Sequence, residues 1–398
     1  MRRATSFRAW VTRVTAYSAF DMKRAETLLL VADSEHDADM LYAVGMFVPD
    51  PFIYLRIRGR NYVVMSDLEI DRARRLAPHC FVLSLSRYQR QLRAAGHPRP
   101  GLADVVACIL RERNVRRVAV PGSFPCGLAA ELQRRRIQVR PRSGSFFPAR
   151  EQKSAVEVKK ISAALLMAEV GMAEAMHVLR AAKIGRNDLL LYRDVPLTSE
   201  KLRAVIDTAV IQANGLASHT IVAGGKQGCD PHEPGYGPLR AHEPIILDIF
   251  PRSQKTGYFG DITRTVVRGR ASEAVRGLYD TVFRGQALGF SKIRAGVETV
   301  SVHRSVQELF ERAGYKTGAH RGAMQGFFHG TGHGLGLEIH EAPRLGTSSA
   351  EVLKVGQVVT VEPGLYYPGI GGVRLEDVAL VTGNRPRNLT RFEKVLEI

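Results

Sequence analysis

The chain has 398 residues, about two to three average domains, and its 45% apolar content is enough to bury substantial cores. No uninterrupted apolar run approaches the roughly 18 residues that span a bilayer, and Cys80, Cys108, Cys126 and Cys229 are too far apart for a zinc knuckle or redox pair, fitting buried thiols in a reducing cytoplasm. A net charge of +18 invites a polyanionic partner, but 26 of the 57 basic and only 13 of the 39 acidic residues fall in residues 1–150, with no interleaved aromatics to stack on bases. Runs such as Arg111–Arg117 and Arg134–Arg136 therefore read as solvated helix faces, and neither nucleic acid nor membrane is expected as a partner.

Residues 1–21 carry Arg2, Arg3, Arg8 and Arg13 without an apolar core, which argues against a secretory signal and for an extension ahead of Met22. Residues 22–145 alternate strand-like runs ("TLLLVAD", "FIYLRIRGRNYVVMS", "VRRVAVPG") with helical segments at Gly101–Arg113 and Cys126–Arg136. That order predicts a small α/β domain without a cluster of chemistry-bearing residues. The stretch Pro141–Pro148 reads as a linker.

Residues 151–398 form the second domain. Helical periodicity over Glu151–Ala182 and Ser199–Asn214 leads into "PIILDIFPRSQKTGYFGDITRTVVRG", two strands around a polar turn. The order then recurs: helices over Ser272–Ile293 and Thr299–Ala313, then "QVVTVEPGLYYPGIGGVRLEDVALV" as a second hairpin. Residues 151–270 and 271–383 thus read as two copies of one helix–helix–hairpin unit.

Each hairpin carries two acids. A turn centred between Gln254 and Lys255 would set Asp248 opposite Asp261, and one centred on Gly369 would set Glu362 opposite Glu376. Among Ile246, Leu247, Ile249, Val361, Leu375 and Val378, such carboxylates are costly to bury alone, and a pair of divalent cations is the favourable solution. The glycine-rich segment "FFHGTGHGLGLEIHEAP" adds His329, His333 and His340 at a spacing that suits a close-packed loop and strand rather than a core helix.

Residues His329–Glu341, with "GYFGDITRTVV", "VTVEPGLY" and "GGVRLEDVALV", resemble the proline peptidases of the creatinase/methionine-aminopeptidase family. The resemblance implies an α/β protein in which a small N-terminal domain precedes a C-terminal pita-bread domain with an internal pseudo-two-fold repeat. It also implies that Asp248 holds one metal, His333 and Glu362 the other, and that Asp261 and Glu376 bridge both. Mn²⁺ suits such an oxygen-rich set, with Co²⁺, Fe²⁺ or Zn²⁺ tolerated. By the same resemblance Glu362 shuttles the water's proton, and His340 stabilises the tetrahedral intermediate. His232 of "CDPHEP" lies on the substrate side, and Arg374 orients a bridging carboxylate. His329 separates this loop from those of methionine aminopeptidases and implies peptides with proline at the second position. A cytoplasmic homodimer acting as an Xaa-Pro aminopeptidase is the implied whole.

Alternatives are a dipeptide-restricted prolidase, a metal-dependent hydrolase of a small non-peptide amide, and a non-catalytic binding module of the same fold. The text after Asp248, Ile249-Phe250-Pro251, departs from the family's usual Asp-x-Gly and lengthens the turn by an even number of residues, which preserves the facing of Asp261.

Overall fold

Alternating side chains along β1 (Leu28–Ala32) supply both cores of the N-terminal unit, Leu29 and Val31 to one and Leu28 and Leu30 to the other. The computed structural model describes residues 26–320 and 322–398, so the extension expected over residues 1–21 lies outside the described residues. After β1 come α1 (Ala38–Val44), β2 (Phe52–Ile57), β3 (Arg60–Met65), α2 (Ile70–Leu76), β4 (Cys80–Ser84), α3 (Leu85–Ala94), α4 (Leu102–Glu112), β5 (Arg117–Val120), α5 (Cys126–Arg134) and β6 (Gln138–Pro141). The six strands form one mixed sheet in the order β4-β3-β2-β1-β5-β6. Helices α3, α4 and α5 cover one face through Tyr88, Leu92, Leu110 and Leu132, and α1 and α2 cover the other through Met40, Val44 and Ala73. The expected linker is only partly one: Phe146 and Phe147 are buried in this unit's core, Phe147 lying 5.6 Å from Tyr42 between ring centroids. Two apolar rings cost too much left in water, so the chain leaves this unit only at the Phe147/Pro148 boundary.

The C-terminal unit starts on α6 (Ala155–Ala181), whose first turn is closed by a capping box between Ser154 and Glu157. By length and composition α6 could cross a membrane, with mean hydropathy 1.3 over its most apolar window, but half of that window is buried inside the protein. A small meander follows, β7 (Lys183–Ile184), β8 (Leu190–Tyr192) and β9 (Val195–Pro196), then α7 (Ser199–Gln212), packed on α6. Next come β10 (Gly215–Leu216), β11 (Ile221–Gly224), β12 (Ile245–Ile249), β13 (Arg252–Ser253) and β14 (Ile262–Val266). Strands β11-β12-β14 form an antiparallel sheet, and β10 pairs with β13.

The same order then repeats. Helices α8 (Glu273–Lys292) and α9 (Thr299–Arg312) pack together, and β15 (Gly318–His320) pairs with β16 (Ala323–Gln325). They precede β17 (Gly332–Gly334), β18 (Glu341–Leu345), β19 (Val358–Val361), β20 (Gly364–Tyr367), β21 (Gly371–Arg374), β22 (Asp377–Leu380) and β23 (Arg387–Asn388). The second sheet runs β18-β17-β19-β22-β23, with β20 and β21 as a separate pair. Where the two repeats meet, a polar seam joins them. Glu376 N–H donates to the Thr263 carbonyl at 3.0 Å, and the Thr265 hydroxyl takes the place of a backbone group, exchanging two 2.9 Å bonds with the N–H and carbonyl of Arg374. Beneath the seam the buried Arg264 donates to the Thr263, Glu376, Phe392 and Glu393 carbonyls and to Asp377.

Candidate metal centre

The ligand candidates sit at the ends of the two hairpins, and register decides how they meet. In the second hairpin Val361 pairs with Asp377 and Gly364 with Arg374, which brackets Glu362 and Glu376 opposite one another as expected. The first hairpin differs from expectation: Asp248 pairs with Thr263, not Asp261. The cause is the turn. Ser253 and Tyr258 close it by backbone bonds, with Gly257 at φ 76°, so it is centred one residue later than Gln254–Lys255 and the register slips by two. An even slip keeps Asp261 on the same face as Asp248, diagonal to it and still in reach. Gly260 seats Asp261: a Cβ there would run into the α6 backbone at Ala164 and Leu165.

The structure brings Asp261, His333 and Glu376 together, with one ligand atom from each lying within 4.8 Å of the others. Glu362 joins through His333, Nε2 to Oε1 being 3.1 Å, with Asp261 Oδ2 at 3.8 Å from the same nitrogen. His333 Nδ1–H donates to the Gly334 carbonyl at 3.1 Å, leaving the Nε2 lone pair aimed at the carboxylates. Its backbone N–H donates to the Thr360 hydroxyl, which in turn donates to Glu362 Oε1 at 3.2 Å. Thr263 supports Glu376 Oε2 in the same way at 2.8 Å. Gly332 lets β17 lie against β19, since a Cβ there would overlap the Thr360 carbonyl.

Two buried carboxylate oxygens, Asp248 Oδ1 and Glu376 Oε1, have no hydrogen-bond donor. Buried acceptors left bare are costly, and here they accompany a mutually repelling set of acids. Burial, then the charges of Asp248 and Glu362, push Asp261 well above the usual carboxylate range; burial, then Asp261, does the same to Glu376. Burial also raises Asp248, against the opposing pull of Arg374. Burial would raise Glu362 too, but the hydrogen bond and charge that His333 brings when its Nε2 is protonated hold it at about 2. A cluster with surplus negative charge, bare oxygens and a free imidazole lone pair fits divalent cations.

The other predicted residues surround this cluster. Arg374 is buried, and its Nη2 donates to Asp248 Oδ2 at 2.6 Å, so the carboxylate it orients is Asp248. Arg374 Nη1 also donates to the Tyr366 oxygen at 3.0 Å, and the Tyr366 hydroxyl donates to His329 Nε2 at 2.8 Å, with His329 Nδ1–H on the Gly330 carbonyl. Burial pushes His329 down to about 4, so it is neutral near pH 7. His340 is exposed, its ring edge-on to His333 at 4.5 Å, and desolvation and the charge of His333 lower it to about 4. His232 is exposed on a turn whose N–H binds Asp230, close enough to His340 for its charge to act there. Tyr366, Thr263 and Thr360 were not singled out from the sequence. Strand parity points to them, each standing two or four residues from an acid on the same face.

A metal-fitting cluster at the seam of two repeated helix–helix–hairpin units defines a pita-bread fold. The chain belongs to metallopeptidase family M24, whose sequence profile matches residues 159–383. It is 35% identical over 181 residues to the Xaa-Pro dipeptidase of Pyrococcus furiosus, covering 45% of this chain and 49% of that one. The chain spans about half the length of the curated relatives it matches. In fold it is similar to the Xaa-Pro dipeptidase from Bacillus anthracis, with TM-score 0.78 and 24% identity over 94% of this chain and 95% of that one. It is likewise similar to the X-Pro aminopeptidase from Thermotoga maritima, with TM-score 0.78 and 20% identity over 94% and 97%.

Proposed function

We propose that the chain removes the N-terminal residue from peptides with proline at the second position, using two divalent ions at the cluster, with Mn²⁺ the favoured metal. The observation that carries this reading is the convergence of Asp261, His333 and Glu376 within 4.8 Å beside the bare oxygens of Asp248 and Glu376. Asp248 would hold one ion, His333 and Glu362 the other, and Asp261 and Glu376 would lie between them. Such ions, when bound, polarise a carbonyl and lower the pKa of water.

The protein's own groups do the rest. Glu362, ionised and held by Thr360 and His333, takes the proton of the attacking water and returns it to the leaving nitrogen as the C–N bond breaks. The neutral imidazole of His340 offers an N–H to the carbonyl oxygen as charge develops on it. Arg374 fixes Asp248, and His232 borders the substrate side. A prolyl bond has no N–H to recognise, so selection rests on shape. The rings of Phe328, His329 and Tyr366 supply a wall for it, with centroids 5.2 Å and 5.4 Å from Tyr366.

In this reading residues 151–398 are the catalytic domain, residues 22–145 a non-catalytic domain and residues 1–21 an extension, and the protein works as a cytoplasmic homodimer. A dipeptide-restricted activity is the second reading, favoured by the likeness to the Xaa-Pro dipeptidases of Pyrococcus furiosus and Bacillus anthracis. Metal analysis of the purified protein, followed by assays of Ala-Pro, Ala-Pro-Ala and Ala-Ala-Ala with Mn²⁺, tests both. Cleavage of Ala-Pro-Ala supports the aminopeptidase, and cleavage of Ala-Pro alone replaces it with the dipeptidase. A metal-free protein cleaving none of the three rejects both in favour of a binding module.

A further inference from the structure

The turn that follows β17 carries His340, and besides the backbone bonds from Leu335 N–H to the Val358 carbonyl and from Phe259 N–H to the Gly336 carbonyl, an ion cluster away from the proposed metal ligands ties it to the rest of the unit. Glu341, 8% exposed, is the centre of that cluster. Its Oε1 accepts from the backbone N–H groups of Leu337 and Glu338 at 2.9 Å and 3.1 Å, which closes the turn on itself. The same oxygen accepts from Arg150 Nη2 at 2.6 Å, and Oε2 accepts from Lys153 Nζ at 2.8 Å. Arg150 also binds Glu338 at 2.7 Å. Lys153 is anchored in its turn, its N–H donating to the Gly356 carbonyl at 2.7 Å, and its side chain is only 1% exposed. The pull of the two cations outweighs burial and holds the Glu341 carboxyl below its ordinary range, so it is ionised at neutral pH. Gly336 completes the fit, since a Cβ there would press on the Glu341 carboxylate.

A lysine withdrawn from water with its charge intact is costly unless the geometry is specific. The cost is met here by a carboxylate that itself secures two backbone amides of the His340 turn. His340 is exposed and makes no side-chain hydrogen bond among the described residues; its placement beside His333 comes from the turn. We infer that Lys153 and Glu341 are positioning residues for His340, fixing the turn so that its imidazole meets the substrate carbonyl. This rests on the proposed role of His340 in turnover.

The test uses the full-length Mn²⁺-loaded protein as wild type, Lys153→Met, Lys153→Arg, His340→Ala and the Lys153→Met/His340→Ala double variant. Backbone hydrogen exchange over residues 334–342 should speed about 10-fold or more in Lys153→Met, with bound Mn²⁺ unchanged, and return towards wild type in Lys153→Arg. On Ala-Pro-Ala, kcat should fall about 10- to 100-fold in Lys153→Met with little change in KM, the scale for a displaced reacting group. In the His340→Ala background the same substitution should cost nothing further. Unchanged exchange in that segment, or an equal kcat loss in both backgrounds, overturns the inference. Full turnover by His340→Ala would instead remove the role proposed for His340, and the turn-fixing role of Lys153 is then decided by the exchange measurement alone.

Discussion

At the scale of single residues, the chain His329–Tyr366–Arg374–Asp248 links the ring wall to a proposed metal ligand through three hydrogen bonds. His329 lies within this chain but outside the ligand cluster, so His329→Ala should retain both metals while kcat/KM on Xaa-Pro peptides falls about 100-fold. Matched Xaa-Pro and Xaa-Ala peptides measure it; an unchanged Pro/Ala ratio would remove His329 as the selector. Tyr366→Phe keeps the ring and deletes only the bridging hydroxyl, so its loss should be smaller, about 10-fold. Asp261→Asn and His340→Ala separate metal binding from turnover. The first removes a negative charge from the cluster and should lose metal and activity together, as read by metal content after dialysis. The second should keep its metal and lose kcat. Equal metal loss in the two variants would mean that the turn, rather than the imidazole, had been disturbed.

At the scale of elements, backbone approach sets the tolerance. The close packing of β17 on β19 at Gly332 leaves no room for a methyl group, and Gly332→Ala should destabilise the protein by about 1–3 kcal/mol, measured by denaturant unfolding. A variant as stable as wild type would show that β17 can shift without cost. Much of this level was legible beforehand. Helices expected at Ser199–Asn214 and Ser272–Ile293 fall at Ser199–Gln212 and Glu273–Lys292, because caps and apolar period mark them locally. The second hairpin's register was legible because its turn is short and centred on glycine. The first was not: Ser253 and Tyr258 close a longer turn whose centre no single residue announces. Phe146 and Phe147 resemble linker in sequence because flanking Pro, Ser and Gly outweigh two aromatics whose burial depends on distant Tyr42 and Tyr54. The Lys153–Glu341 pair joins residues 188 positions apart, beyond the reach of any local pattern.

At the scale of the whole molecule, the acid cluster couples stability to pH and metal. Burial and mutual repulsion raise Asp261 and Glu376 above their unfolded values. Their contribution to stability is therefore complete below the ordinary carboxylate range and is lost as pH rises through the raised values. Without metal the melting temperature should be lower at a pH well above the ordinary carboxylate range than at one within it, and the gain from saturating Mn²⁺ should be larger at the higher pH, since cations replace the lost protons. Thermal melts with EDTA and with Mn²⁺ at the two pH values check this; a metal-induced gain equal at both would contradict it. The polar seam between the repeats has a consequence of its own. In the proposed ligand set Asp248 and Asp261 come from one repeat and His333, Glu362 and Glu376 from the other, so neither half would hold it complete. A cut in the loop between β14 and α8 would leave two fragments held by Thr263, Arg264 and Thr265 against Arg374, Glu376 and Asp377. Cations that bind only the joined state would then act as the glue of a split protein. Reassembly of the fragments, followed by light scattering, should titrate with Mn²⁺ and reverse with a chelator.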